Sequence, residues 1–114
     1  MSEFKKAPNP YGRKGGLEHQ TKVEEVTEEI RSRGFQAIKE QILRFFGVKK
    51  YRYADVVAVE NREIVEIHQI GKETLNGNPV KREQIVIDEI QKEFGISVKF
   101  HAYNREEKNE QHTD

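Results

Sequence analysis

The 114-residue sequence has no cysteine, so disulfides and thiolate metal sites are excluded. It has no apolar run near the ~18 residues that cross a bilayer. Its first sixteen residues, MSEFKKAPNPYGRKGG, lack the apolar middle of a secretory signal. A soluble, cytoplasmic protein is the expectation. Nor is there a charge excess: Lys plus Arg and Asp plus Glu stand at 20 each. Net charge therefore argues neither for nor against nucleic acid, and a basic patch has to be local. Hydrophobic residues make up 34% and charged residues 35%, which implies a modest core under an ionic surface. The length suits one compact domain, and no internal repeat is visible.

What is present sorts into an arm, a domain and a tail. Residues 1–16 carry Pro8, Pro10, Gly12, Gly15 and Gly16, which break regular structure. Lys5, Lys6, Arg13 and Lys14 make this arm basic, so it can lie along phosphates or serve only as a solubilising tail. The domain is expected over residues 17–103. From Asn104 onward the polar NREEKNEQHTD has no core to join.

Within the domain, Leu17, Gln20, Val23, Val26 (or Thr27) and Ile30 recur at helical spacing. They predict a helix over 17–33, with Gly34 ending it. Phe35–Phe46 reads as a strand over at least part of its length. Lys49, Lys50 and Arg52 form a basic loop before the next strand and are candidates for phosphate contact. Asn78-Pro79 is expected to open a second helix, with Lys81 and Arg82 in its first turn and Gly95 at its end. Cations at a helix start oppose the dipole, which suggests an anionic partner. Ile96–Ala102 alternates as a last strand, with Ser97, Lys99 and His101 facing out. The predicted order is helix, three strands, helix, strand: an α/β fold with a mixed sheet of about four strands.

The stretch Tyr51–Gly71 organises this order. It reads as two β-branched strands joined by a turn at Glu60-Asn61-Arg62. Asp55, Glu66 and His68 interrupt the apolar run. Alternation puts Ile64, Glu66 and His68 on one face and Val65, Ile67 and Gln69 on the other. Carboxylates among Val and Ile are costly unless paired. Two of them on neighbouring strands, with a nitrogen base nearby, suit a hard divalent cation. The other reading leaves Asp55 at a strand entrance in water and Glu66 in an ordinary ion pair.

These residues resemble the restriction-endonuclease-like PD-(D/E)XK superfamily. Within it the similarity is to archaeal Holliday-junction resolvases and to small phage and toxin-associated nuclease domains. Its carriers are Glu18, the Arg33-Gly34-Phe35 turn, Tyr53-Ala54-Asp55-Val56-Val57 and Val65-Glu66-Ile67-His68. The resemblance implies a restriction-endonuclease-like core with Asp55, Glu66 and Glu18 holding Mg2+ or Mn2+. His68 stands where the family usually has lysine, and Ala54 where the motif name has proline. Gln69 and Lys72 are near enough in sequence to stand in for that lysine, and His19 is a further candidate beside Glu18. His68, one pleat (about 6.6 Å) from Glu66, is expected to avoid pairing with it and to take a proton from the attacking water.

The implied activity is metal-dependent hydrolysis of DNA, at junctions or branched DNA among other substrates. Lys49, Lys50, Arg52, Lys72, Lys81, Arg82, Arg13 and Lys14 would hold the backbone. The resemblance also implies a homodimer, for which Phe45, Phe46, Tyr51, Tyr53 and Tyr103 supply apolar side chains. The alternative is an inactive module of the same fold that binds nucleic acid or protein.

Overall fold

The computed structural model describes residues 16–104. Arg13, Lys14 and the rest of the arm to residue 15 lie outside the described residues, as does the tail from residue 105. The elements are α1 (Leu17–Ser32), β1 (Gln36–Arg44), β2 (Tyr51–Glu60), β3 (Glu63–Gly71), α2 (Lys81–Phe94) and β4 (Val98–Ala102). The fold is α/β, and its sheet order is β1-β2-β3-β4. The first two pairings are antiparallel, while β4 runs parallel to β3. A parallel neighbour requires a crossover, which α2 supplies.

Two cores lie on the two faces of the sheet. Val26 and Ile30 of α1 pack on Val56, Ala58 and Ile70. Ile87 and Ile90 of α2 pack on Ala54, Val57, Val59, Ile67 and Val98. Ile30, Ile67, Ile70 and Ile90 are fully buried, each contributing about 1.5–3 kcal/mol. The stripe of α1 is shorter than its sequence suggests: Val26, Thr27 and Ile30 are buried, but Leu17 is 64% exposed. The helix is therefore sealed to the sheet from Val23 onward, and its first turn stands clear of the core. Gly34, at φ +94°, takes the left-handed turn that releases the chain into β1.

Three local irregularities set the site. The β2–β3 turn places Asn61 and Arg62 at φ +55° and +69°, a left-handed pair that matches strand twist. A register shift opposite Ala58/Val59 leaves Val65 as an extra residue in β3. Ile64 therefore packs with the α2-side core, whereas Glu66 and His68 keep the α1 side, so the expected grouping of all three does not hold. The third irregularity lies between β1 and β2. Pairing is regular up to Lys39↔Val56 and again from Gln41↔Ala54, with no rung at Glu40 and Asp55. Glu40 sits at φ +54°.

The α2 start differs from expectation. Val80, not Asn78, is the N-cap. Pro79 instead bridges to Glu73 across a small ribbon. The last strand begins at Val98 rather than Ile96. Among the described residues no helix is long and apolar enough to cross a membrane.

Candidate active site

The break between β1 and β2 determines where Asp55 goes. Tyr53 and Asp55 line a cavity beneath the first half of α1, and Val56 joins the α1-side core. Consecutive residues Asp55 and Val56 thus share a face, which regular alternation forbids. Gln69 holds this break from β3. Its Oε1 accepts the Asp55 backbone N–H at 2.7 Å and its Nε2 donates to the Tyr53 carbonyl at 3.3 Å. The Ile70 backbone N–H donates to Asp55 Oδ2 at 2.8 Å. Gln69 is thereby a buried support for Asp55's backbone rather than a group facing substrate.

The other Asp55 oxygen lies 3.7 Å from His19 Nε2. The cavity holds about 580 Å³, and its ionisable lining is His19, Glu24, Lys39, Glu40, Tyr53 and Asp55. His19 meets Tyr103 edge-on at 5.9 Å. Glu83, in the first turn of α2, lies outside that lining but within the electrostatic reach of Asp55 and His19. Its carboxyl rests on Gly71, where a Cβ would come within 2.7 Å of Glu83 Cδ. Burial, and then the charge of Asp55, push the Glu83 carboxyl up, against the opposing pull of Arg82 and His19.

Glu66 is elsewhere. Arg33, just past α1, grips it with two guanidinium hydrogen bonds of 2.9 and 2.8 Å. Glu29 holds the same guanidinium from behind. Arg33 and, after it, His68 hold the Glu66 carboxyl down to about 2. This is the ordinary ion pair that the other reading of Glu66 allowed.

His68 does pair with Glu66, contrary to the expectation of one clear pleat between them: Nε2 lies 2.8 Å from Glu66 Oε1. Its Nδ1 lies 2.8 Å from His101 Nε2, the two rings stacked at 5.0 Å. An ionised Glu66 can only accept, so neutral His68 carries its proton on Nε2 and accepts from His101. With both nitrogens engaged and the residue 1% exposed, His68 has no free nitrogen for an attacking water. His101 was expected to face out. It sits opposite Ile70 on a sheet packed on both sides, and turns to the α1 side.

Asp55 and Glu66 therefore do not converge. Asp55 is anchored at Ile70, four residues along β3 from Glu66, or about 13 Å. The α1 contacts agree: His19 reaches one carboxylate and Arg33 the other, with about 21 Å of helix between them. Two oxygens on one ion lie within about 5 Å of each other. Glu18 is exposed in the first turn of α1 and does not bridge them. The ligand set Asp55, Glu66 and Glu18 does not fit an ion. Asp55, Glu83 and His19 fit in donor chemistry, with two carboxylates and one imidazole. Among the described residues, no three His, Asp or Glu side chains stand at coordination spacing.

The cations divide similarly. Lys50 and Arg52 are bound to Glu89 of α2, on the face away from the cavity. They hold the Glu89 carboxyl below its ordinary range. Lys39 is paired to Glu24. Lys49 is exposed at the hairpin end. Lys72, Lys81 and Arg82 are exposed and in no ion pair among the described residues. They lie between Gly71 and Glu83 in the chain. Of the five aromatics, Phe45 packs on Phe94, Tyr53 lines the cavity and Tyr103 joins the α1-side core. Phe46, 94% exposed, and Tyr51, 51% exposed, remain outside.

Sequence reasoning missed Glu83 and His101. Glu83 is one acidic residue among 20, and its only signal is a glycine, Gly71, at the end of the third strand. The chain matches no family model, no curated protein and no solved structure.

Proposed function

We propose that the protein is a metal-dependent nuclease that hydrolyses DNA phosphodiester bonds, with Asp55 at its centre. The observation that carries this reading is the broken β1–β2 pairing, which turns Asp55 out of the sheet into a cleft beside His19 and Glu83. The order of elements, with an aspartate on the second strand, supports the resemblance to the PD-(D/E)XK nucleases. The second carboxylate departs from that pattern: Glu83 of α2 takes the role expected of Glu66.

Charge in the cleft supports metal dependence. Asp55, Glu24 and Glu40 face one lysine, Lys39, so a phosphate alone is repelled. Asp55, Glu83 and His19 are the residues that would hold Mg2+ or Mn2+, and such an ion would supply phosphate neutralisation and a more acidic water. The chain's own residues do the rest. Gln69 and the Ile70 N–H fix Asp55, Gly71 leaves room for Glu83, and Tyr53 bounds the cleft.

The inactive-module reading has one observation in its favour: Glu66 and His68 are fully engaged with Arg33 and His101. A cleavage assay with Mn2+ on duplex, branched and single-stranded DNA and on RNA separates the two. The nuclease reading expects DNA cleavage that Asp55→Asn and Glu83→Gln abolish and Glu66→Gln leaves intact per folded molecule. A parent that binds DNA and cuts none of these substrates supports the module. We further propose a homodimer for two-strand cleavage, using Phe46 and Tyr51. A monomer mass by light scattering at high concentration, with and without DNA, removes it.

A further inference from the structure

The Lys72–Val80 segment between β3 and α2 is not a slack connection. The Val80 N–H donates to the Lys72 carbonyl at 3.0 Å, and the Thr74 N–H to the Asn78 carbonyl at 2.7 Å. Glu73 and Pro79 bridge antiparallel between them. The Gly77 N–H closes the tip on the Thr74 carbonyl at 2.9 Å, with Gly77 at φ +87°. Asn104 clamps the base: its Oδ1 accepts the Glu73 N–H at 3.1 Å and its Nδ2 donates to the Glu73 carbonyl at 3.2 Å. The result is a short, internally bonded ribbon with one large apolar side chain at its tip. That side chain is Leu75, 89% exposed.

A leucine held this far out of the core contributes almost nothing to it. Its surroundings have one consistent chemistry. Lys72 begins the ribbon, and Lys81 and Arg82 follow it, all exposed and in no ion pair among the described residues. Gly71 and Glu83 stand one position outside these cations; Gly71 follows Ile70, whose N–H holds Asp55, and Glu83 feels the Asp55 charge. An apolar tip on a stiff stem, with cations at its base, complements stacked bases above a phosphate backbone. A protein groove of matching depth would have no need of three exposed cations outside any ion pair among the described residues.

We propose that the Lys72–Val80 ribbon is a nucleic-acid wedge. Leu75 enters between bases at a distorted or broken stack, while Lys72, Lys81 and Arg82 hold the flanking phosphates. The strand is thereby presented to Asp55. This assignment rests on the nucleic-acid reading of the cleft and adds to it a preference for interrupted duplex over intact duplex.

The test uses the full chain carrying Asp55→Asn, whose asparagine keeps an acceptor for the Ile70 N–H, so that binding is read without cleavage. Duplexes with 2-aminopurine beside a nick, a branch point or no interruption are titrated with Mn2+ present. Fluorescence should rise, as the probe unstacks, at the nick and branch but not in the intact duplex. Leu75→Ala should abolish the rise and weaken binding to interrupted DNA about tenfold, the loss of one base contact. Because Leu75 is exposed, its melting temperature should match the parent's. Changing Lys72, Lys81 and Arg82 to Gln should flatten the salt dependence by ~0.9 per lost contact. Binding without a fluorescence change, or a Leu75→Ala variant as tight as its parent, overturns the wedge and leaves the Asp55 reading standing. Failure to bind any DNA overturns both.

Discussion

Glu66→Gln separates the two carboxylates most sharply, because the geometry assigns Glu66 to the Arg33–His68 chain and not to the cleft. Glutamine keeps the volume and an acceptor for His68 Nε2, but it removes the charge that Arg33 grips with two bonds. Charge-assisted hydrogen bonds contribute roughly 1.5–3 kcal/mol each. Arg33 retains Glu29 and its side chain is 36% exposed, so screening cuts the loss. About 1–3 kcal/mol remains after that discount. A domain of this size moves by roughly 4–8 °C per kcal/mol, so the melting temperature at pH 7 should fall by about 4–24 °C. The pH dependence follows from the depressed carboxyl. Its contribution is whole above the ordinary value of 4.5 and is lost as pH falls towards about 2. Parent and variant melting temperatures, followed by circular dichroism, should therefore converge over that interval. Mn2+ affinity and cleavage per folded molecule should stay at parental levels. A variant that melts like its parent at pH 7, or that loses Mn2+, refutes this assignment.

Three further outcomes follow. Gly71→Ala puts a Cβ within 2.7 Å of the Glu83 carboxyl, so cleavage should drop on the order of tenfold or more while stability changes by less than ~1 kcal/mol, because Glu83 can swing aside; unchanged turnover would remove Glu83 from the site. Arg62→Gly relieves a left-handed arginine in the β2–β3 turn and should raise stability by about 0.5–1 kcal/mol in urea unfolding, with the midpoint but not the slope changing. Replacing Lys49, Lys50 and Arg52 with Gln should leave the salt slope of DNA binding nearly unchanged, since Lys50 and Arg52 serve Glu89; a flattened slope would restore the hairpin as a phosphate contact.

The element order was legible because its signals are local. Gly34 and Gly95 end the helices, Asn61 and Arg62 make the turn, and β-branched runs mark the strands. Asp55 was legible too, as an acid in an apolar strand. Its partners were not, because they depend on breaks in regular pairing. Strict alternation aligned Ile64 with Glu66, yet the extra Val65 separates them. Alternation cannot place Asp55 and Val56 on one face, which the Glu40 break does. Glu83 meets Gly71 and feels the Asp55 charge through the β3–α2 crossover, a relation that no sequence period encodes. The Asn78-Pro79 helix start failed for a similar reason: Pro79 was already committed to the ribbon with Glu73.

The centre proposed for catalysis is Asp55 with Glu83 and His19. A crystal of the protein soaked in Mn2+, with anomalous scattering recorded, tests it directly. The predicted result is a peak bounded by the Asp55 and Glu83 carboxylates and His19 Nε2, with Arg33 still on Glu66. A peak at Glu66 and His68, or none at Asp55 under saturating Mn2+, would contradict it.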